Sequence, residues 1–137
     1  MKRLLRNLRD EGGFTLLEVL MVCAIIGIIA TVAVPRISSG FTVANTTKVL
    51  SDLRAIDAAV MLYQADKGAL PQKVADLNDY ITDIRNVKPP KGNCRIRSGE
   101  DFEVVKIVAT EYAISYDSDS GEARATLDGR TASEYGK

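Results

Sequence analysis

The sequence predicts an α+β chain: one long amino-terminal helix, apolar all round in its first half and amphipathic in its second, laid against a small antiparallel β-sheet. Three observations predict it. Residues 14–34 form an almost unbroken apolar run. Beyond Pro35, apolar residues recur at intervals of three and four as far as Tyr63. The remainder holds short alternating stretches of Val, Ile and Tyr divided by turn residues.

The apolar run carries a single charge, Glu18. At 1.5 Å per residue its helix extends about 31 Å, the thickness of a bilayer core. Ahead of it stand Lys2, Arg3, Arg6 and Arg9 against Asp10 and Glu11. A basic flank before an apolar helix places that flank in the cytoplasm. An ordinary signal anchor would read similarly. A cleavable secretory peptide fits less well, because the run is long for one and no small-x-small site follows it. A lipoprotein anchor at Cys23 would want a small residue where Val22 stands.

In the second half, Ile37, Phe41 and Ala44 form one apolar stripe, and Val49, Leu53, Ile56, Val60 and Tyr63 a second. The polar patch Asn45-Thr46-Thr47-Lys48 lies between them. One helix from about residue 14 to about 65 is expected, kinked or loosened near Pro35 and stopped by Gly68 and Pro71. In the body, 74–81 reads as a short helix and 86–93 as a loop around Pro89-Pro90. Residues 102–109, 111–116 and 123–127 read as about three strands, with 117–121 a turn between the last two. In 111–116 the alternation aims Tyr112, Ile114 and Tyr116 one way. The last ten residues are polar and read as loose or edge-like.

Composition narrows the chemistry. The chain has no histidine, which closes His-based nucleophile arrangements and His-ligated metal sites. Its 18 basic and 18 acidic residues give no general basic surface for nucleic acid. No nucleophile–base pair, metal set or phosphate loop is visible, so neither an enzyme nor a resident cofactor is predicted. Cys23 and Cys94 belong to different environments, one in lipid and one in water, and no bridge between them is expected.

The informative string is Gly12-Gly13-Phe14-Thr15-Leu16-Leu17-Glu18-Val19. Following a short basic leader and opening an apolar run, it resembles the class III signal of the type IV pilin and type II secretion pseudopilin superfamily. The resemblance implies a pilin-like fold and three segments. Residues 1–13 would be a cleaved leader and 14–35 a transmembrane and polymerisation helix. Residues 36–137 would be a globular head that includes the second half of the long helix. A prepilin peptidase would cut after Gly13 and methylate the new terminus at Phe14. The partners implied are further copies of the chain in a helical filament, the peptidase, and an inner-membrane assembly platform with its ATPase. The subunit would sit in the inner membrane with a cytoplasmic amino terminus, then enter an extracellular or periplasmic filament.

The resemblance also gives Glu18 a role. A carboxylate at the bilayer centre costs about 2.5–3.5 kcal/mol, less near the face. In the family its inferred partner is the terminal amine of a neighbouring subunit, here Phe14, and that pairing sets the register between subunits. Gly27 and Pro35 bracket a β-branched stretch, the least helical part of the stem. The family implies that this stretch loses helicity on packing.

Three signals are weaker. Gly68-Ala69-Leu70-Pro71 resembles the family's turn after the stem, with Leu for an aromatic. Asp117, Asp119 and Glu122 read as a solvated turn, with a calcium site as the alternative. The body holds only Cys94, so the disulfide loop of many type IV pilins is missing. The first reading is a structural subunit of a type IV pilus or related filament. The alternatives are a pseudopilin of a type II secretion or DNA-uptake system, or a minor tip pilin acting as a binding module.

Overall fold

Helix α1 runs unbroken from Leu16 to Lys67, with Pro35 inside it. The computed structural model describes residues 13–117 and 121–136. These residues divide into two compact units, one ending at Ile37 and one beginning at Ser38. In the first unit the chain is helix with its apolar side chains outward. In the second, the rest of α1 carries the body.

Glycine ends α1. Gly68 has φ +65°, a conformation that other residues adopt only with strain, and its N–H donates to Gln64 O at 2.9 Å. The chain then turns through Leu70 and the buried Pro71. Residues 74–81, expected as a short helix, form only the 3₁₀ turn Val74–Leu77.

Among the described residues the strands number four, in two hairpins, where about three in one sheet were expected. Strand β1 (Asn93–Ser98) pairs antiparallel with β2 (Asp101–Lys106), with Arg95 opposite Val104 and Arg97 opposite Phe102. Strand β3 (Ala113–Tyr116) pairs with β4 (Ala123–Thr126), with Ile114 opposite Ala125. The expected strand 102–109 is therefore cut short at Lys106. Beyond it, Val108 and Ala109 donate their N–H groups to the two carboxylate oxygens of Asp128, at 3.0 and 2.7 Å, instead of to a neighbouring strand. Residues 128–136, the described part of the tail that reads as loose, are ordered. Ala132–Glu134 forms a turn, and Tyr135 is buried, bridges Ile96, and donates its hydroxyl to Leu127 O at 2.8 Å. Of the alternating residues 112, 114 and 116, Tyr112 is buried, Ile114 half-buried and Tyr116 exposed, its hydroxyl donating to Pro71 O.

The core is built on α1. Val49, Leu53, Ile56 and Val60, spaced as expected, are buried against Leu77, Ile96 and Leu127, among others. The first expected stripe is a different matter. Ile37 and Phe41 face outward, Phe41 being 66% exposed. The inward face continues instead through Thr46 and Thr42, inside and beside the patch that reads as polar. Thr46 Oγ1 donates to Thr42 O at 2.7 Å and accepts the Arg95 N–H of β1 at 2.8 Å. Asn45 Nδ2 donates to the carbonyls of Lys91 and Asn93. Further along, Asp57 accepts the Ala125 N–H of β4 at 2.7 Å, and Asp52 accepts the Tyr112 hydroxyl at 2.6 Å. Helix side chains thus satisfy strand donors of both hairpins, groups that would otherwise be costly to bury.

Burial pushes the phenol of Tyr112 well above its ordinary range, helped by Asp52, and that of Tyr135 up to about 12. A raised phenol holds its proton in the folded state after the unfolded chain has begun to lose it near pH 10. Folding is then favoured fully below about pH 10 and progressively less above it. The melting temperature of the body is expected to fall between about pH 10 and 12. Tyr135→Phe should flatten part of that fall, and thermal denaturation followed by circular dichroism across this range tests it.

Candidate functional site: the amino-terminal stem

The stem is a helix whose apolar window has none of its residues buried among the described residues. That window has a mean hydropathy of 2.6, and the helix is long and apolar enough to cross a membrane. Leu16, Leu20, Ile25, Ile28 and Val32 are among the large apolar side chains left exposed. Water is a poor solvent for such a surface, so lipid or other copies of the helix must cover it.

Gly13 and Phe14 precede the helix in extended, exposed chain. A Cβ built at Gly13 meets nothing within 4 Å. The described residues place no steric demand for glycine there. The same holds at Gly27, where a Cβ would also meet open space. A glycine inside a helix costs about 1 kcal/mol relative to alanine. The helix passes through both Gly27 and Pro35.

Glu18 has a local partner that the sequence reading overlooked. Thr15 precedes the first helical residue, and Glu18 stands three residues after it. Glu18 N–H donates to Thr15 Oγ1 at 3.2 Å, while Thr15 N–H and Oγ1 each reach Glu18 Oε2 at 3.3 Å. This is a reciprocal capping box, and the signal for it, Thr15-x-x-Glu18, was present in the sequence. The carboxylate also lies at the positive end of the helix dipole. The geometry holds Glu18 in the first turn of α1.

The weaker sites fare differently. Of the calcium candidates, Asp119 lies outside the described residues. Glu122 pairs with Arg124, Nη2 to Oε2 at 2.7 Å. Among the described residues no group of three His, Cys, Asp or Glu side chains could hold a metal ion. Cys23 and Cys94 are free thiols, the first exposed and the second 1% exposed in the core, where burial pushes its pKa up.

Residues 8–34 match the family described as the prokaryotic N-terminal methylation motif. Three curated relatives bear the name type II secretion system core protein G. The Pseudomonas aeruginosa protein is 36% identical over 85 residues, covering 62% of this chain and 56% of its own length. The Vibrio cholerae protein is 32% identical over 85 residues, covering 62% and 58%. The Escherichia coli K12 protein is 34% identical over 77 residues, covering 56% and 53%. The chain thus spans little more than half the length of these relatives. No solved structure matches it.

Proposed function

We propose that the chain belongs to the superfamily of type IV pilins and type II secretion pseudopilins, and that it is a structural subunit of a type II secretion pseudopilus. The observation that carries the reading is the methylation motif at the head of an uncovered apolar helix, in a chain whose quoted relatives are all named as core protein G of that system. Of the readings left open by the sequence, these names favour the pseudopilin over the fibre of a type IV pilus. A structural role also agrees with a body whose polar groups serve its own packing.

In this reading the basic leader stays cytoplasmic and α1 spans the inner membrane. A prepilin peptidase cuts after Gly13 and methylates Phe14. Cutting creates a cationic amine one helical turn from Glu18. In the membrane both charges are costly; in a filament the Phe14 amine of one copy meets Glu18 of the next, and pairing offsets the desolvation of each. Copies offset wrongly leave the carboxylate unpaired, so the pair selects the register. The exposed apolar surface passes from lipid to neighbouring stems, with Gly27 allowing close approach and Pro35 a weak point in the helix under load. An assembly platform and ATPase supply the work of extraction.

Mass spectrometry of the chain from its native membrane tests the processing step. A mature terminus at Phe14 carrying one methyl group is expected. An intact leader in cells with active prepilin peptidase would overturn it.

A further inference from the structure

We infer that the outward face of the β1–β2 hairpin is a docking surface for the acidic flank of a second copy of this chain, head to tail. The inference rests on the filament-subunit reading and adds which surfaces of the body meet.

The hairpin has two unlike faces. Cys94 and Ile96 point into the core, so Arg95 and Arg97 point out, opposite Val104 and Phe102, with Lys106 next in line. Phe102 and Val104 are 46% and 54% exposed. None of the ion pairs among the described residues involves Arg95, Arg97 or Lys106. Lys106 also lines a depression of about 440 Å³ together with Lys88, Lys91 and a single acid, Glu111, so the surface stays net cationic past the end of the hairpin. The outward ladder positions carry no acid. Two exposed apolar side chains framed by unpaired cations suit an anionic surface with an apolar centre.

The body holds such a surface elsewhere. Near the end of α1, Leu62, Asp66, Lys67, Asp79 and Tyr80 border a shallow depression, and Met61 and Leu62 are exposed beside it. The hydroxyl of Tyr80 and the ammonium of Lys67, 3.2 Å away, hold the Asp66 carboxyl below its usual range, which leaves Asp79 as the carboxylate of this surface outside the ion pairs among the described residues. The chain is neutral overall, yet its charges are sorted, with five cations and no acid from Arg85 to Arg97 and the aspartates at 76, 79 and 83 before them. A copy that carries both halves of a complementary pair on different surfaces binds its like heterologously. Such contacts propagate into an open helical filament and do not close into a dimer.

Carbodiimide cross-linking of the full chain, polymerised in its native membrane, tests this. It joins lysine to carboxylate at contact distance. The dimer band is expected to contain Lys106, or Lys91, joined to Asp79 or Asp66, and the monomer band not to. Arg97→Glu and Asp79→Arg should each lower that cross-link about tenfold, the loss expected when one attraction becomes repulsion. The two together should restore it. Both positions are exposed, and an unchanged melt of the body would show that the variants fold. Polymer that forms without this cross-link and ignores both reversals would overturn the contact and leave the subunit reading intact. So would Lys106 joined to a different protein instead of another copy. An unaltered chain that makes no polymer would overturn both.

Discussion

Glu18→Ala is expected to abolish polymer while the chain still inserts in the membrane and is still cut after Gly13. The capping box makes this result ambiguous by itself. Alanine removes both the charge that would meet a neighbour's amine and the side chain that caps α1 through Thr15. Losing a cap costs about 1 kcal/mol, which frays one turn of a 52-residue helix and leaves the rest standing. Losing the partner of a buried charge costs several times more. Glu18→Gln separates the two effects, because glutamine completes a capping box as glutamate does but carries no charge. If charge pairing sets the register, Gln fails as Ala does, by a factor of a hundred or more in polymer recovered from the membrane, on the order of 3 kcal/mol at each contact. Polymer rescued by Gln would assign Glu18 to helix capping and sink the register role.

Leu53→Ala is expected to produce the largest loss of stability. Leu53 is 0% exposed and sits midway along the buried stripe, with Val49 and Ile56 on either side. Truncating a buried leucine costs about 2–5 kcal/mol, from the lost transfer energy and the cavity left behind. The body, about 100 residues, has about twice that to lose, so a drop of about 15 °C in its melting temperature is expected. Phe41→Ala, on the outward face of the same helix, should leave the melt almost unchanged. Equal effects from the two would mean that the outward stripe packs within the chain after all. Polymer yield would then separate them in the other direction, since Phe41 is free to contact another copy and Leu53 is not.

The stem was legible because its determinants are local. A bilayer-length apolar run, a lone glutamate and a glycine before phenylalanine need no knowledge of the rest of the chain. The stripe from Val49 to Val60 was legible for the same reason, since helical periodicity survives in a short window. Even the cap at Thr15 was written there, though it was passed over in favour of the intermolecular role of Glu18. The hairpins were harder. Strand β1 reads Asn-Cys-Arg-Ile-Arg-Ser, with two buried residues among charges, and its pairing with β2 is what makes it a strand. Val108 and Ala109 look as strand-like as the residues before them, but their donors are taken by an aspartate about twenty residues away.

By itself, the sequence determined the long apolar helix, the amino-terminal methylation motif, the placement of Glu18 and the α+β class, all of which depend on neighbours within a few positions. The tertiary structure alone decided which face of α1 is inward beyond Val49. There Thr46 and Thr42 displace the more apolar Ile37 and Phe41, because a strand edge needs a hydrogen-bond acceptor more than it needs another methyl group. It also decided that Tyr135, in a polar tail, closes the core. That follows from its pairing with Ile96, tens of positions earlier, which no local pattern records.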